Sequence, residues 1–156
     1  MGFFSDLIDV TPHRTIGQKA KEYCINSLMT DNETRLIDKY NIDKEKYIKV
    51  RNVCQISMFI AMFQLLESEN PKARFGIANT HFQQLYWDYY HNSGEQTGYA
   101  MWDSQLEDFC FNVTGQNFSE LSLFEQNEFR EIVDNYQSGV IDFFKKHNRK
   151  LSEQIQ

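Results

Sequence analysis

Asp88 and His91 stand three positions apart, a spacing that puts a carboxylate and an imidazole on one face of a helix, as in half of a helical metal site. A complete di-iron site needs a second such pair and two further carboxylates, and the chain has no second pair. Asp88 and His91 are therefore only weak metal candidates, and no cofactor is expected. His13, His81 and His147 are isolated in sequence and far from any cysteine spacing that would complete a zinc ligand set. The sequence contains no nucleophile elbow, no Gly-rich phosphate loop, no dinucleotide fingerprint and no His-Glu-x-x-His. An enzyme built from this chain would have to use Asp88, His91 and Glu95 as acid–base groups. No catalytic residue is assigned, and a non-enzymatic role is the better reading. A globin is excluded because His81 and His91 share one predicted helix and cannot face a haem from opposite sides.

Two other features stand out. Phe82, Tyr86, Trp87, Tyr89, Tyr90, Tyr99 and Trp102 crowd around a polar stretch, Asn92 to Gly98, that reads as the clearest loop. Successive helical residues turn by about 100°, so Tyr86, Trp87, Tyr89 and Tyr90 span too wide an arc to be buried on one face. Exposed Tyr and Trp are typical binding anchors, which makes Trp87, Tyr90, Tyr99 and Trp102 the aromatic contact candidates.

The second feature is charge. Residues 1–51 carry nine basic and eight acidic side chains, whereas residues 75–144 carry eleven acids against one base, Arg130. The carboxylates in that segment lack local partners in sequence. Glu107, Asp108, Glu128 and Glu131 are the acidic contact candidates, and they can share a face only if their two helices are neighbours.

These residues must be positioned by helices. Two prolines and seven glycines are too few for the repeated turns of a β-sandwich, and apolar residues recur at helical intervals. Thr11-Pro12 reads as a cap and first helical turn, opening a helix through Ile16, Ala20, Cys24 and Leu28. Thr30 and Glu33 have capping-box spacing before Leu36, Ile37 and Tyr40. Asp43 caps a helix that becomes almost continuously apolar from Val53 to Leu66, as expected for a buried central helix. Asn70-Pro71 repeats the cap-plus-proline signal for a helix reaching Tyr89. Ser104 with Glu107, and Ser122 with Glu125, introduce two more. In the last, Phe129, Val133, Tyr136, Val140, Phe143 and His147 form a seam spaced 4, 3, 4, 3 and 4. That seam can pack against the 43–69 helix or, alternatively, form a homodimer.

The expected fold is a single all-α domain over residues 1–156, a compact bundle of five to seven helices. Residues 1–10 are expected to be a mobile N-terminal segment, and 151–156 a frayed C-terminus. Cys24, Cys54 and Cys110 are odd in number and far apart, which argues against a disulfide framework and for reduced thiols in a cytoplasmic protein. The longest apolar run is too short and too often interrupted to span a membrane.

An acidic, aromatic-bearing helical domain without catalytic motifs fits a protein-binding module. The sharper expectation is an immunity-type or anti-defence inhibitor, bacterial or phage, of a basic protein that handles nucleic acid, because carboxylates can occupy sites where phosphates bind. Direct nucleic-acid binding is disfavoured by the acidic field. A membrane-peripheral or apolar-ligand role would use Phe3, Phe4, Leu7 and Ile8, but Asp6 and Asp9 oppose anionic lipid.

Overall fold

The computed structural model describes residues 11–90 and 104–155, with side chains placed at most of them. Among these residues six α-helices follow in order: α1 Thr11–Asn26, α2 Asp31–Tyr40, α3 Lys44–Glu69, α4 Phe75–Tyr90, α5 Gln105–Thr114 and α6 Leu123–Ile155. Single 3₁₀ turns at Pro71–Ala73 and Phe118–Glu120 precede α4 and α6, and no strand occurs among the described residues. The all-α bundle expected from the apolar periodicity is the fold. Residues 1–10 and the 92–98 loop lie outside the described residues.

The caps explain where the helices start and stop. The Thr30 hydroxyl accepts from the Glu33 N–H while the Glu33 carboxylate accepts from the Thr30 N–H, a complete capping box for α2. Asn41 closes α2 in the left-handed region. Asp43 accepts from the Lys46 N–H, and Ser122 accepts from the Glu125 N–H. Gly115, with φ of 75°, ends α5 by donating its N–H to the Phe111 carbonyl.

Four local expectations fail. α1 already includes Thr11 and ends at Asn26, so Leu28 lies beyond it and is 87% exposed. The Ser27 hydroxyl donates back to the Tyr23 carbonyl, and the Ser27 and Leu28 carbonyls are taken by Arg51 instead of by further helix. Asn70-Pro71 opens only a 3₁₀ turn, because Arg74 adopts a left-handed conformation (φ 54°) that redirects the chain before α4. Ser104 has helical backbone angles and makes no side-chain cap. Its hydroxyl donates to Asp108 at 3.4 Å, so the Ser104–Glu107 box does not form.

α3 is the central element. The Phe59 ring, fully buried, meets Tyr23 of α1, Phe82 of α4 and Phe143 and Phe144 of α6 at centroid distances of 5.5, 5.4, 5.1 and 5.6 Å. Small residues let α1 and α4 approach: a Cβ added to Gly17 would lie 3.0 Å from the Ala78 carbonyl oxygen and 3.1 Å from the Phe82 nitrogen. At the other end Phe109 of α5 packs edge-on against Tyr47, Phe129 and Tyr136. All six seam residues of α6 are buried inside the chain, so the surface that offered a homodimer is covered by the chain's own helices.

Phe59→Ala removes the ring that joins three helices to α3 and should cost about 3–5 kcal/mol in chemical denaturation. A loss below about 1 kcal/mol would mean that these contacts do not hold the bundle together.

Candidate functional site

The helices bring together a buried polar group that lies mostly outside the sequence expectations. Glu33 is 1% exposed, and its carboxylate is the meeting point. One oxygen accepts from the Thr30 N–H and hydroxyl at 3.2 and 3.3 Å. The other accepts from the Tyr47 hydroxyl at 2.8 Å and from the Tyr136 hydroxyl, and sits 2.9 Å from Arg51 Nε in an ion pair. Arg51 then reaches the α1–α2 turn, Nη1 donating to the Ser27 carbonyl and Nη2 to the Leu28 carbonyl, both at 2.8 Å. Its guanidinium also lies 5.6 Å from the Tyr136 ring centre. One carboxylate thus ties α2, α3 and α6 to the end of α1.

A charge buried this deeply is tolerable only when paired and hydrogen-bonded, and here both conditions hold. Burial, followed by the negative field of Glu33, raises the Tyr47 phenol above the ordinary tyrosine value. Burial raises Tyr136 as well, with Tyr47 and Glu33 adding to the effect. Both therefore stay neutral and available as donors near neutral pH. Against this group opens a cavity of about 250 Å³, with Glu33, Arg51, Gln55 and Tyr136 in its wall and the exposed Leu28 at its edge. Gln55 is 2% exposed, and its carbonyl oxygen has no hydrogen-bond partner among the described residues.

The acidic candidates lie elsewhere. Glu107 and Asp108 are exposed on α5, and Glu131 is exposed on α6. α5 and α6 are neighbours through Phe109 and Phe129, the condition a shared acidic face requires. The sequence offers the carboxylates of this segment no local partner, and the partner that two of them find comes from a distant helix. Lys39 of α2 comes within 3.9 Å of Glu128 and 4.0 Å of Glu125, and the Tyr40 hydroxyl donates to Glu125. The Tyr40 bond, with Ser122 and Lys39 assisting, holds the Glu125 carboxyl below the usual range. Arg130 instead turns its guanidinium over the Phe118 ring at 5.1 Å.

Among the described residues, three large apolar side chains are exposed in this same half of the chain. They are Phe111 on α5 and Leu123 and Phe124 at the start of α6, the last two 77% and 69% exposed. Glu107 and Phe111, four apart, share one face of α5. None of the three apolar residues was singled out in sequence, where each looks like an ordinary core residue beside a cap.

Of the aromatic cluster, Phe82 and Tyr86 are buried. The side chains of Trp87, Asp88 and Tyr90, together with His91, Glu95, Tyr99 and Trp102, lie outside the described residues, as do Phe3, Phe4, Leu7 and Ile8. Among the described residues no three His, Cys, Asp or Glu side chains gather as a metal site. Cys24, Cys54 and Cys110 are buried free thiols. Burial pushes the Cys24 and Cys54 thiols up, away from the thiolate a nucleophile needs. No helix among the described residues is long and apolar enough to cross a membrane.

Compared with protein-family models, curated proteins and solved structures, the chain matches none. Any functional reading therefore rests on the side chains themselves.

Tyr136→Phe deletes one donor to the buried Glu33 carboxylate and should cost about 1.5–3 kcal/mol at neutral pH. The raised phenols stabilise the fold fully below the ordinary tyrosine value of 10, and this contribution is lost as pH rises past it. The variant should therefore show a shallower loss of stability above pH 10 in denaturation series than the wild type. An unchanged alkaline limb would remove Tyr136 from this network.

Proposed function

We propose that this chain is a protein-binding module that recognises a basic partner through the outer face of α5 and the first turns of α6. The observation that carries this reading is the exposure of Phe111, Leu123 and Phe124 in the segment that also holds Glu107, Asp108, Glu128 and Glu131. Large apolar side chains left in water beside carboxylates match the anatomy of a binding patch, with apolar anchors for affinity and charges for steering and register. Lys39 does not neutralise this segment. It lies over the Phe124 ring at 5.3 Å and serves Glu125 and Glu128, while Glu107, Asp108 and Glu131 make no ion pair among the described residues.

The sharper form of the proposal is inhibition. A partner that handles nucleic acid presents a basic surface shaped for phosphates, and a row of carboxylates can occupy it. An immunity-type or anti-defence inhibitor acts in this way. The aromatic candidates Trp87, Tyr90, Tyr99 and Trp102 remain part of the proposal as a second contact edge.

The test is kinetic and uses the partner isolated by capture from the native host. Association should slow steeply between low and physiological ionic strength, and Glu107→Lys with Glu131→Lys should slow it further with little change in dissociation. Phe124→Ala should act the other way, mainly speeding dissociation. A partner with an acidic contact surface, or an association rate indifferent to salt, contradicts the proposal.

A further inference from the structure

A second cavity, of about 730 Å³, opens where one face of α4 meets the start of α1 and the end of α3. None of its walls belongs to the α5–α6 face just described. Ile77, Thr80, His81 and Gln84 line it from α4, and their spacing of three and four places them on one side of that helix. Arg14 lines it from α1 and Glu67 from α3. All of these side chains are open to solvent: Arg14, Thr80 and Gln84 are exposed, and Glu67, Ile77 and His81 are partly so.

Two unlike charges therefore face one cavity, and they do not meet. Glu67 is anchored at the start of α4, where its Oε2 accepts the Gly76 N–H at 2.8 Å. Arg14 makes no hydrogen bond or ion pair among the described residues, and its charge lies beside His81, five positions further along α4. Burial, and then the Arg14 charge, lower His81 below the ordinary histidine value, so the imidazole is neutral near neutral pH and leaves Arg14 as the cation among the described lining residues. The ring is seated by Gly17 of α1, where an added Cβ would lie 3.1 Å from its Cδ2.

From this arrangement we infer that the cavity is a binding site for a free α-amino acid in its zwitterionic form. The ammonium group of the ligand donates to the Glu67 carboxylate, and its carboxylate accepts from the Arg14 guanidinium, so each charge meets its opposite. A simple anion would be repelled by Glu67, and a simple amine by Arg14. The span selects the ligand further. Five residues of α4 rise by about 7.5 Å. Two charge-assisted hydrogen bonds of about 2.8 Å each take up most of that distance. The remaining gap suits the adjacent ammonium and carboxylate of an α-amino acid and is too short for the termini of a dipeptide. The Thr80 hydroxyl donates to the Gly76 carbonyl at 3.0 Å and keeps an acceptor for the ligand, while the Gln84 amide offers both a donor and an acceptor. A neutral polar side chain on the ligand uses both.

The experiment titrates the full chain with L-glutamine, followed by amide-resolved NMR. N-acetyl-L-glutamine, which lacks the ammonium charge, and L-glutaminamide, which lacks the carboxylate, serve as controls. L-Glutamine should shift the signals of residues 14–17, 67 and 76–84, and each control should bind at least about tenfold more weakly. Arg14→Gln should remove the advantage of L-glutamine over L-glutaminamide, and Glu67→Gln its advantage over the N-acetyl compound. Both variants should keep thermal midpoints near that of the wild type, because Arg14 is exposed and the amide oxygen introduced at position 67 still accepts from Gly76. Four outcomes overturn the inference. They are no shifts at these positions up to the solubility limit of L-glutamine; equal binding of N-acetyl-L-glutamine, which makes this an anion site; equal binding of L-glutaminamide, which makes it a cation site; or tighter binding of glycyl-L-glutamine, which makes it a peptide site. The comparison of these compounds on the wild type decides the matter even if a variant does not fold.

Discussion

The Glu33–Arg51 ion pair is the constraint on which the other parts of the bundle depend. Burying a carboxylate and a guanidinium costs several kcal/mol per ion before any compensation, so donors must gather around the carboxylate and acceptors around the guanidinium. The chain meets this demand with parts from distant places in sequence. Thr30 supplies a backbone and a hydroxyl donor, α3 supplies Tyr47, and α6 supplies Tyr136 from 103 positions away. The same demand ends α1, because Arg51 claims the two carbonyls that a longer helix would have used. Leu28 is exposed as a consequence.

Around this polar centre the apolar core divides in two. Phe59, Phe63, Phe82, Phe143 and Phe144 join α3 to α4 and α6 at one end, and Phe109, Phe129 and the ring of Tyr136 join α5 to α6 at the other. Apolar packing tolerates many arrangements of similar volume, whereas the carboxylate accepts only donors aimed at its lone pairs. The ion pair therefore fixes how α2, α3 and α6 meet, and the phenylalanines supply most of the free energy. The packing of α5 on α6 in turn positions the exposed Phe111, Leu123 and Phe124 relative to Glu107 and Glu131.

The helices were legible in sequence because their signals are local. The 3.6-residue spacing on α6 and the caps at Thr30, Asp43 and Ser122 each involve residues a few positions apart, and each is present in the fold. Where a second local force competed, the signal misled. Pro71 fits the first turn of an α-helix as well as a 3₁₀ turn, and only the left-handed Arg74 distinguishes them. The polar centre was half visible: Glu33 showed as a capping residue, but nothing local indicates that its second oxygen serves Tyr47, Tyr136 and Arg51. The available clue was Arg51, Asn52, Gln55 and Ser57 on a helix otherwise apolar enough to be buried, since polar residues there must be satisfied by other elements. The exposed apolar residues were invisible for the opposite reason, because sequence gives Phe111 and Phe124 no mark that separates them from Phe109 and Phe129.

A double-mutant cycle on Glu33 and Arg51, followed by denaturant unfolding, tests this account most directly. Glu33→Gln and Arg51→Met should each cost about 3–5 kcal/mol, because each strands the other charge in the interior. Together they should cost less than the sum by about 2 kcal/mol or more, since the double variant strands neither. Costs that add to within about 0.5 kcal/mol would show that the two residues act independently and that the ion pair does not organise the bundle.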